Sequence, residues 1–339
     1  MNTVRFDLRA PGKAPAETAA LYRAAVEMAA YLDRAGGFSL AASEHHASPD
    51  GYLSSPLLLA AAFAAVTERV PIMAAATLLP LYDPVRLAEE MVVLDHLSRG
   101  RVSYVLALGY RPEEYELYGL DYAARGRLAD AKLEALLDHL RRAREGRALP
   151  RVTPPPFSPA GPALFWGGGS APAARRAARF GLGFLAQKAD PALAEIYAAA
   201  CRAAGREPGP CFIPPAELPG VVFVADDVER GWRELGPHLL ADAKSYAEWN
   251  RRAGLDAVNL SRAETVEELR AENGNYRVVD VAGALELIGR FGRLSLHPLC
   301  GGVPPQIAWP YLRRVVEEVL PAARRRGLIP PDPPPAPGS

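Results

Sequence analysis

Residues 41–52 read AASEHHASPDGY, a run of small residues that stops at Glu44, His45 and His46 before a polar loop. Histidine titrates near neutrality, so one at the end of a buried strand suits proton transfer. Successive strand residues point to opposite faces, so His45 and His46 cannot both enter one pocket while the strand stays regular. One faces the pocket; the other packs or hydrogen-bonds around it. Neighbouring strand residues also chelate poorly, and no HExxH is present, so no metal is expected. Taken alone, the three residues read more readily as the polar start of a loop.

Three further stretches carry chemistry of their own. In GYRPEEYELYG, residues 109–119, Arg111 follows Gly109 and Tyr110, and its planar fork suits a phosphate or carboxylate. The bland alternative is a surface arginine paired with Glu113 or Glu114. In FWGGGSAPAARRAARFG, Gly167, Gly168 and Gly169 let backbone approach a ligand, and Ser170 is placed to cap the next helix. A helix start is an anion site, although Pro172 removes one donor. The stretch is neither a GxGxxG fingerprint nor a P-loop, and a tight strand-to-helix turn explains it as well. In MAAATLLP, Ala74, Ala75 and Ala76 precede Thr77 and leave room for a flat ligand, or simply pack a barrel.

The elements that must position these residues alternate almost from end to end. Strands are expected at Val4–Leu8, Phe38–Ser43, Ile72–Leu79, Val102–Leu108, Ala163–Gly167, Phe184–Gln187, Val221–Val224 and Leu294–Pro298, with helical patterns between them. In the third helix Asp83 caps, Pro84 starts, Gly100 ends, and Leu87, Met91, Leu94 and Leu97 form one apolar face. Strict alternation implies an α/β fold with parallel strands, and eight units suggest a (β/α)8 TIM barrel; an open doubly wound sheet shares the pattern. Barrel chemistry gathers at the C-terminal strand ends, where Glu44-His45-His46 falls. The reading is a single domain over residues 1–328. Gly146–Pro162 is expected as a loop, about 226–280 as an inserted segment, and 329–339, IPPDPPPAPGS, as a disordered Pro-rich tail.

Composition narrows the partners. Lys plus Arg and Asp plus Glu are each 39, so no global field favours nucleic acid or an anionic membrane. Cys201, Cys211 and Cys300 lack CxxC spacing, and Cys300 has no base beside it in sequence; a reducing cytoplasm is expected. The opening MNTVRFDLRAPGK has no signal-peptide core, and LLLAAAFAAV is too short to span a bilayer, so no membrane association is expected.

Taken in order, SEHHASPDGY, AAATLLPLYDPVRLAEEMVVLDHLSRGRV, LGYRPEEYELYGLDYAARGR, LFWGGGSAPAARRAARFGLGFL and LHPLCGGVPP resemble the bacterial luciferase-like flavin monooxygenase family. The resemblance runs from about the second strand to the last helix, and DPVRLAEEMVVLDHLSRGR is its most specific part. It implies a barrel holding reduced FMN, or in some branches F420, at its C-terminal mouth. His45 would be the pocket histidine at the reactive edge of the ring, with Glu44 orienting an imidazole from behind. Ala75 and Ala76 fall where relatives have a non-prolyl cis peptide beneath the ring, beside Thr77. Tyr110 and Arg111 fall at the phosphate contact; Gly168, Gly169 and Ser170 form a second phosphate-side loop, with Gln187 at the next strand end. Two departures stand out. The first strand, VRFDLR, is unlike the usual start of the family, and Gly169 stands where many relatives have an acidic residue.

The activity so implied is oxidation of a small, apolar organic substrate by reduced FMN and O2, with a separate flavin reductase and a homodimer as partners. One alternative is F420-dependent hydride transfer, with Arg125 and Arg127 as candidates for its acidic tail. Another is a flavin-binding relative without turnover. Leu78, Leu79, Phe165 and Trp166 suggest the apolar lining.

Overall fold

In chain order, the first strands and helices of the computed structural model are β1 (Asn2–Phe6), α1 (Pro15–Ala35), β2 (Phe38–Ala42), α2 (Pro56–Val66), β3 (Ile72–Leu78), α3 (Pro84–Ser98), β4 (Val102–Ala107), α4 (Pro112–Leu117) and α5 (Arg125–Arg144). There follow β5 (Ala163–Gly168), α6 (Ala171–Phe180), β6 (Gly183–Ala186), α7 (Ala192–Ala203), β7 (Cys211–Phe212), β8 (Val221–Val224) and α8 (Val228–Ala253). The chain ends with α9 (Val266–Glu272), β9 (Tyr276–Val279), α10 (Val281–Phe291), β10 (Ser295–Leu296), α11 (Pro305–Arg314) and α12 (Leu320–Arg325). The structure describes residues 1–147, 149–254 and 260–330. Most of the tail expected at 329–339 lies outside these, while Ile329 packs against the core.

The fold is α/β, with eight parallel strands curled in the order β10-β1-β2-β3-β4-β5-β6-β7. Local chemistry explains the frame. The Asp83 carboxylate accepts from the Val85 and Arg86 N–H groups at 3.0 Å each, which starts α3 after the Pro84 ring has fixed its backbone. Leu87, Met91 and Leu94 then face the sheet, as the pattern predicts. Leu97 does not; it is 51% exposed.

Two strand assignments need correction. Val221–Val224 is not a rung of the eight-stranded ladder: it pairs with β9 in a separate two-stranded parallel sheet, and β8 lies beside β10. The eighth rung is instead β7, whose two residues stand near Pro210 and Pro214. A strand so short carries no alternation to read. Among the described residues β7 and β10 are the two ends of the ladder, where the expected ring would join them.

The stretch 226–280 holds α8, α9 and β9, with residues 255–259 outside the described part. Trp232, Leu235, Leu239 and Ala243 of α8 are all buried in the main core. No described helix is long and apolar enough to cross a membrane.

Candidate active site

A cavity of about 840 Å³ opens at the C-terminal ends of the strands. Ser43, Glu44 and His45 reach it from the end of β2, Ala75 and Ala76 from β3, and Ala107 to Tyr110 from the end of β4. Gly167 to Ser170 come from the end of β5 and Gln187 from that of β6. Of the residues expected at the site or in its lining, Thr77, Arg111, Leu79, Phe165 and Arg127 do not line it.

His45 forms the inner end. Its Nδ1 lies 2.7 Å from Glu114 Oε1, and that oxygen also accepts from the His46 N–H at 3.0 Å. An oxygen already accepting from a backbone N–H acts as an acceptor, so His45 Nδ1 carries the proton and Nε2 keeps its lone pair. That lone pair faces the Tyr110 hydroxyl, 3.5 Å away. The ring is walled by Tyr52 at 4.8 Å, Trp249 at 4.8 Å and Tyr110 at 5.4 Å, centroid to centroid. Burial in this cage pulls the imidazole pKa below its ordinary value; Glu114 opposes the shift and Arg111 and Arg9 reinforce it. The result is a neutral imidazole at neutral pH, fixed in orientation and able to accept a proton at Nε2.

His46 turns the other way, as strand alternation requires. Its Nε2 lies 2.7 Å from Glu44 Oε1 and its Nδ1 3.3 Å from the Tyr118 hydroxyl. Glu44 Oε2 accepts from the Leu78 N–H at 3.1 Å. Glu44 thus orients an imidazole, but that of His46, while Glu114 holds His45.

Arg111 is buried away from the cavity. Its Nη1 donates to the His46 carbonyl at 2.6 Å and sits 3.5 Å from Glu114 Oε1; its Nη2 donates to the Ala47 carbonyl at 3.3 Å, and the guanidinium stacks 4.3 Å over Trp249. The pairing with Glu114 weighed in sequence is therefore present, but buried rather than at the surface. Thr77 is fully buried, and its hydroxyl has no partner among the described residues.

The floor is flat and small: the peptide between Ala75 and Ala76 is cis, and the register of β3 on β4 shifts between Ala75 and Thr77. The outer end is built from the turn after β5. Ser170 Oγ accepts from the Ala173 N–H at 3.4 Å and starts α6. A Cβ on Gly169 would stand 2.9 Å from Lys188 Cγ, and one on Gly168 2.7 Å from Ala173 Cβ. A side chain at Gly169 would therefore meet the Lys188 stem. Arg125, Arg176 and Lys188 line this end too. Arg176 Nε is paired with Asp130 Oδ1 at 2.5 Å.

Sequence reasoning missed several of these groups. Glu114 was seen only as a partner for Arg111, although its place three residues on, in a helix of six residues, turns both inward. Tyr246 and Trp249 come from α8, within the stretch read as an insert. Lys188 follows Gln187 by one residue and had no motif to mark it.

A model of the luciferase-like monooxygenase family matches residues 1–290. The chain belongs to that family. Among its relatives are limonene 1,2-monooxygenase from Rhodococcus erythropolis, 30% identical over 38% of this chain and 32% of that protein. 4-Hydroxyprotoasukamycin monooxygenase from Streptomyces nodosus subsp. asukaensis is 32% identical over 33% of this chain and 30% of that one. The matches thus span about a third of each curated relative's length. Among solved structures, monooxygenase RslO1 from Streptomyces bottropensis superposes with a TM-score of 0.68 at 21% identity, covering 95% of this chain and 99% of that one. The oxygenating constituent of 3,6-diketocamphane monooxygenase from Pseudomonas putida, solved with FMN, gives 0.68 at 20%, covering 94% and 98%. These two show that this luciferase-like chain shares their fold.

The residues present fit a phosphorylated flavin. Trp166 lines the cavity, and its buried Nε1–H has no partner among the described residues. Gly168 and Gly169 leave backbone where a side chain would collide, and Arg125, Arg176 and Lys188 line the same end.

Proposed function

We propose that this luciferase-like protein is a reduced-FMN-dependent monooxygenase that oxidises a small organic molecule with O2. The observation that carries the reading is one continuous cavity joining a neutral, oriented His45 to the Gly168–Ser170 helix start. The bound reduced flavin supplies the electrons that activate dioxygen. Ala75 and Ala76 give its ring a flat floor. Ser170, the start of α6, Arg125 and Lys188 hold the phosphate by charge and by N–H donation. At the inner end Tyr52, Tyr110 and Trp249 exclude water, and His45 Nε2 takes a proton from the reacting centre while Glu114 stabilises the imidazolium through Nδ1. Glu44 fixes His46 behind this pair.

A flavin reductase delivers the reduced cofactor, and we propose a homodimer through α2 and α3. These helices pack together and expose Leu58 at 73%, Val93 at 50% and Leu97 at 51%, which a second copy would cover. The test is steady oxygen uptake with FMN, NADH, a flavin reductase and candidate substrates, product formed being compared with NADH consumed. Product that depends on O2 and on His45 supports a monooxygenase. Substrate oxidation that needs F420 and continues without O2 replaces it with hydride transfer. Flavin binding with no oxidation of any substrate leaves a binding protein.

A further inference from the structure

The inner end contains a cation that the proton chemistry above leaves unused. Arg5 lies on β1 opposite Ala41 of β2, in the strand that departs from the family pattern, and its guanidinium lines the cavity. Buried arginines are normally tied to carboxylates. Arg9 is: its Nε lies 3.0 Å from Asp242 Oδ1 and 3.4 Å from Asp7 Oδ2, and its Nη1 pairs with Asp50. Arg5 is not. Its hydrogen-bond partner is a ring nitrogen, His297 Nδ1, 3.2 Å from Nη2, and its Nε has no partner among the described residues.

The nearby acids are committed elsewhere. His297 Nε2 lies 3.1 Å from Asp7 Oδ1, and Asp242 accepts from the Tyr276 hydroxyl at 2.8 Å as well as pairing with Arg9. Neither carboxylate reaches the cavity wall. Asp242, His297 and Cys300 lie close enough to hold a metal ion, but Arg9 already pairs with Asp242, and His297 already faces Arg5 and Asp7. Among the described residues Glu44 is the acid on the cavity wall, and it is bound to His46 and the Leu78 N–H.

What remains around Arg5 is a surplus of donors. The Tyr52 and Tyr246 hydroxyl oxygens are 3.0 Å apart, so one proton lies between them and the other is free to donate outward. Burial pushes both phenols up, so both stay protonated. Ser43 adds a third hydroxyl to the same wall. A pocket of donors around an unpaired fork is complementary to a planar anion.

We propose that Arg5 binds a carboxylate of the substrate, so that this protein acts on small organic acids. The proposal rests on the flavin reading for its chemistry and replaces the expectation of an apolar substrate. Tyr52 carries the connection to the reacting end, since its ring packs on His45 and its hydroxyl meets Tyr246.

The experiment is calorimetric titration of the whole protein with acetate, benzoate and decanoate, each beside its neutral amide, with FMN present to occupy the outer cations. At least one carboxylate binds about tenfold or more tightly than its amide. That preference disappears in Arg5→Met, returns in part in Arg5→Lys, and FMN affinity is unchanged in both. Equal binding of acids and amides, or a preference that survives Arg5→Met, overturns the proposal. If Arg5→Met does not fold by circular dichroism, Arg5→Gln, which keeps a donor for His297, takes its place. Should neither fold, the acid-to-amide ratio of the wild-type protein decides. An Arg5-dependent preference in a protein that binds no FMN keeps the anion site and sinks the flavin reading, so the two failures are distinct.

Discussion

At the inner end of the cavity His45 is gripped by Glu114 at 2.7 Å and walled by three aromatic rings, whereas at the outer end Gly168, Gly169 and Ser170 offer backbone and one capping hydroxyl. The inner groups are enclosed, so desolvation shifts pKa values there and each pairing matters. The outer cations are partly open to solvent, where charge attracts a phosphate but each contact is worth less. One end is built to do chemistry at a fixed orientation, the other to hold a handle. Substitutions at the two ends should therefore fail in different ways.

The largest effect is expected from His45→Ala. It removes the proton acceptor and should lower coupled product formation by about 10²–10⁴-fold, with reduced FMN affinity unchanged in an anaerobic titration. Unchanged turnover would remove His45 from the mechanism. Next comes Arg111→Ala, which leaves Glu114 without its buried cation. A loss of about 3–5 kcal/mol is expected in chemical denaturation, with the preference for FMN over riboflavin kept. A selective loss of FMN affinity would instead return Arg111 to the phosphate.

At the outer end, Arg125→Ala combined with Lys188→Ala should weaken FMN by about tenfold and leave riboflavin, which has no phosphate, nearly unaffected. Equal weakening of both ligands would break the division between the ends.

The smallest effect is in pH. The His45 pKa is lowered from 6.5, so the acid limb of the rate profile should lie below that value. Glu114 opposes the shift, so Glu114→Gln should move the limb further down. Folding favours the neutral ring, so its contribution to stability is complete above about 6.5 and lost as pH falls through the window beneath. An acid limb at or above 6.5 would mean that His45 is not desolvated during turnover.

Much of the frame was legible because it rests on local rules. Asp83, Pro84 and the apolar face of α3 follow from capping and periodicity, and Gly167–Ser170 reads as a tight strand-to-helix turn in which Ser170 caps α6, as found. The cis peptide between Ala75 and Ala76 was found where the family resemblance put it. Illegible features depend on distant parts of the chain. Arg111 looked like a phosphate ligand because nothing local shows that Trp249, far along in α8, covers it. Glu114 and Arg5 take their meaning from His45 and His297, residues brought near only by the fold. Leu97 continues the pattern of α3 yet is exposed, because periodicity marks a face but not how far the core extends along it.

The central claim is that one cavity binds a phosphorylated flavin by its outer end and presents it to His45 at the inner end. The most direct measurement is an anaerobic titration of the wild-type protein with reduced FMN, reduced riboflavin and reduced F420, followed by tyrosine and tryptophan fluorescence. Reduced FMN should bind most tightly, with riboflavin about tenfold weaker or more for want of the phosphate. Equal binding of FMN and riboflavin, or selective binding of F420, would contradict the account.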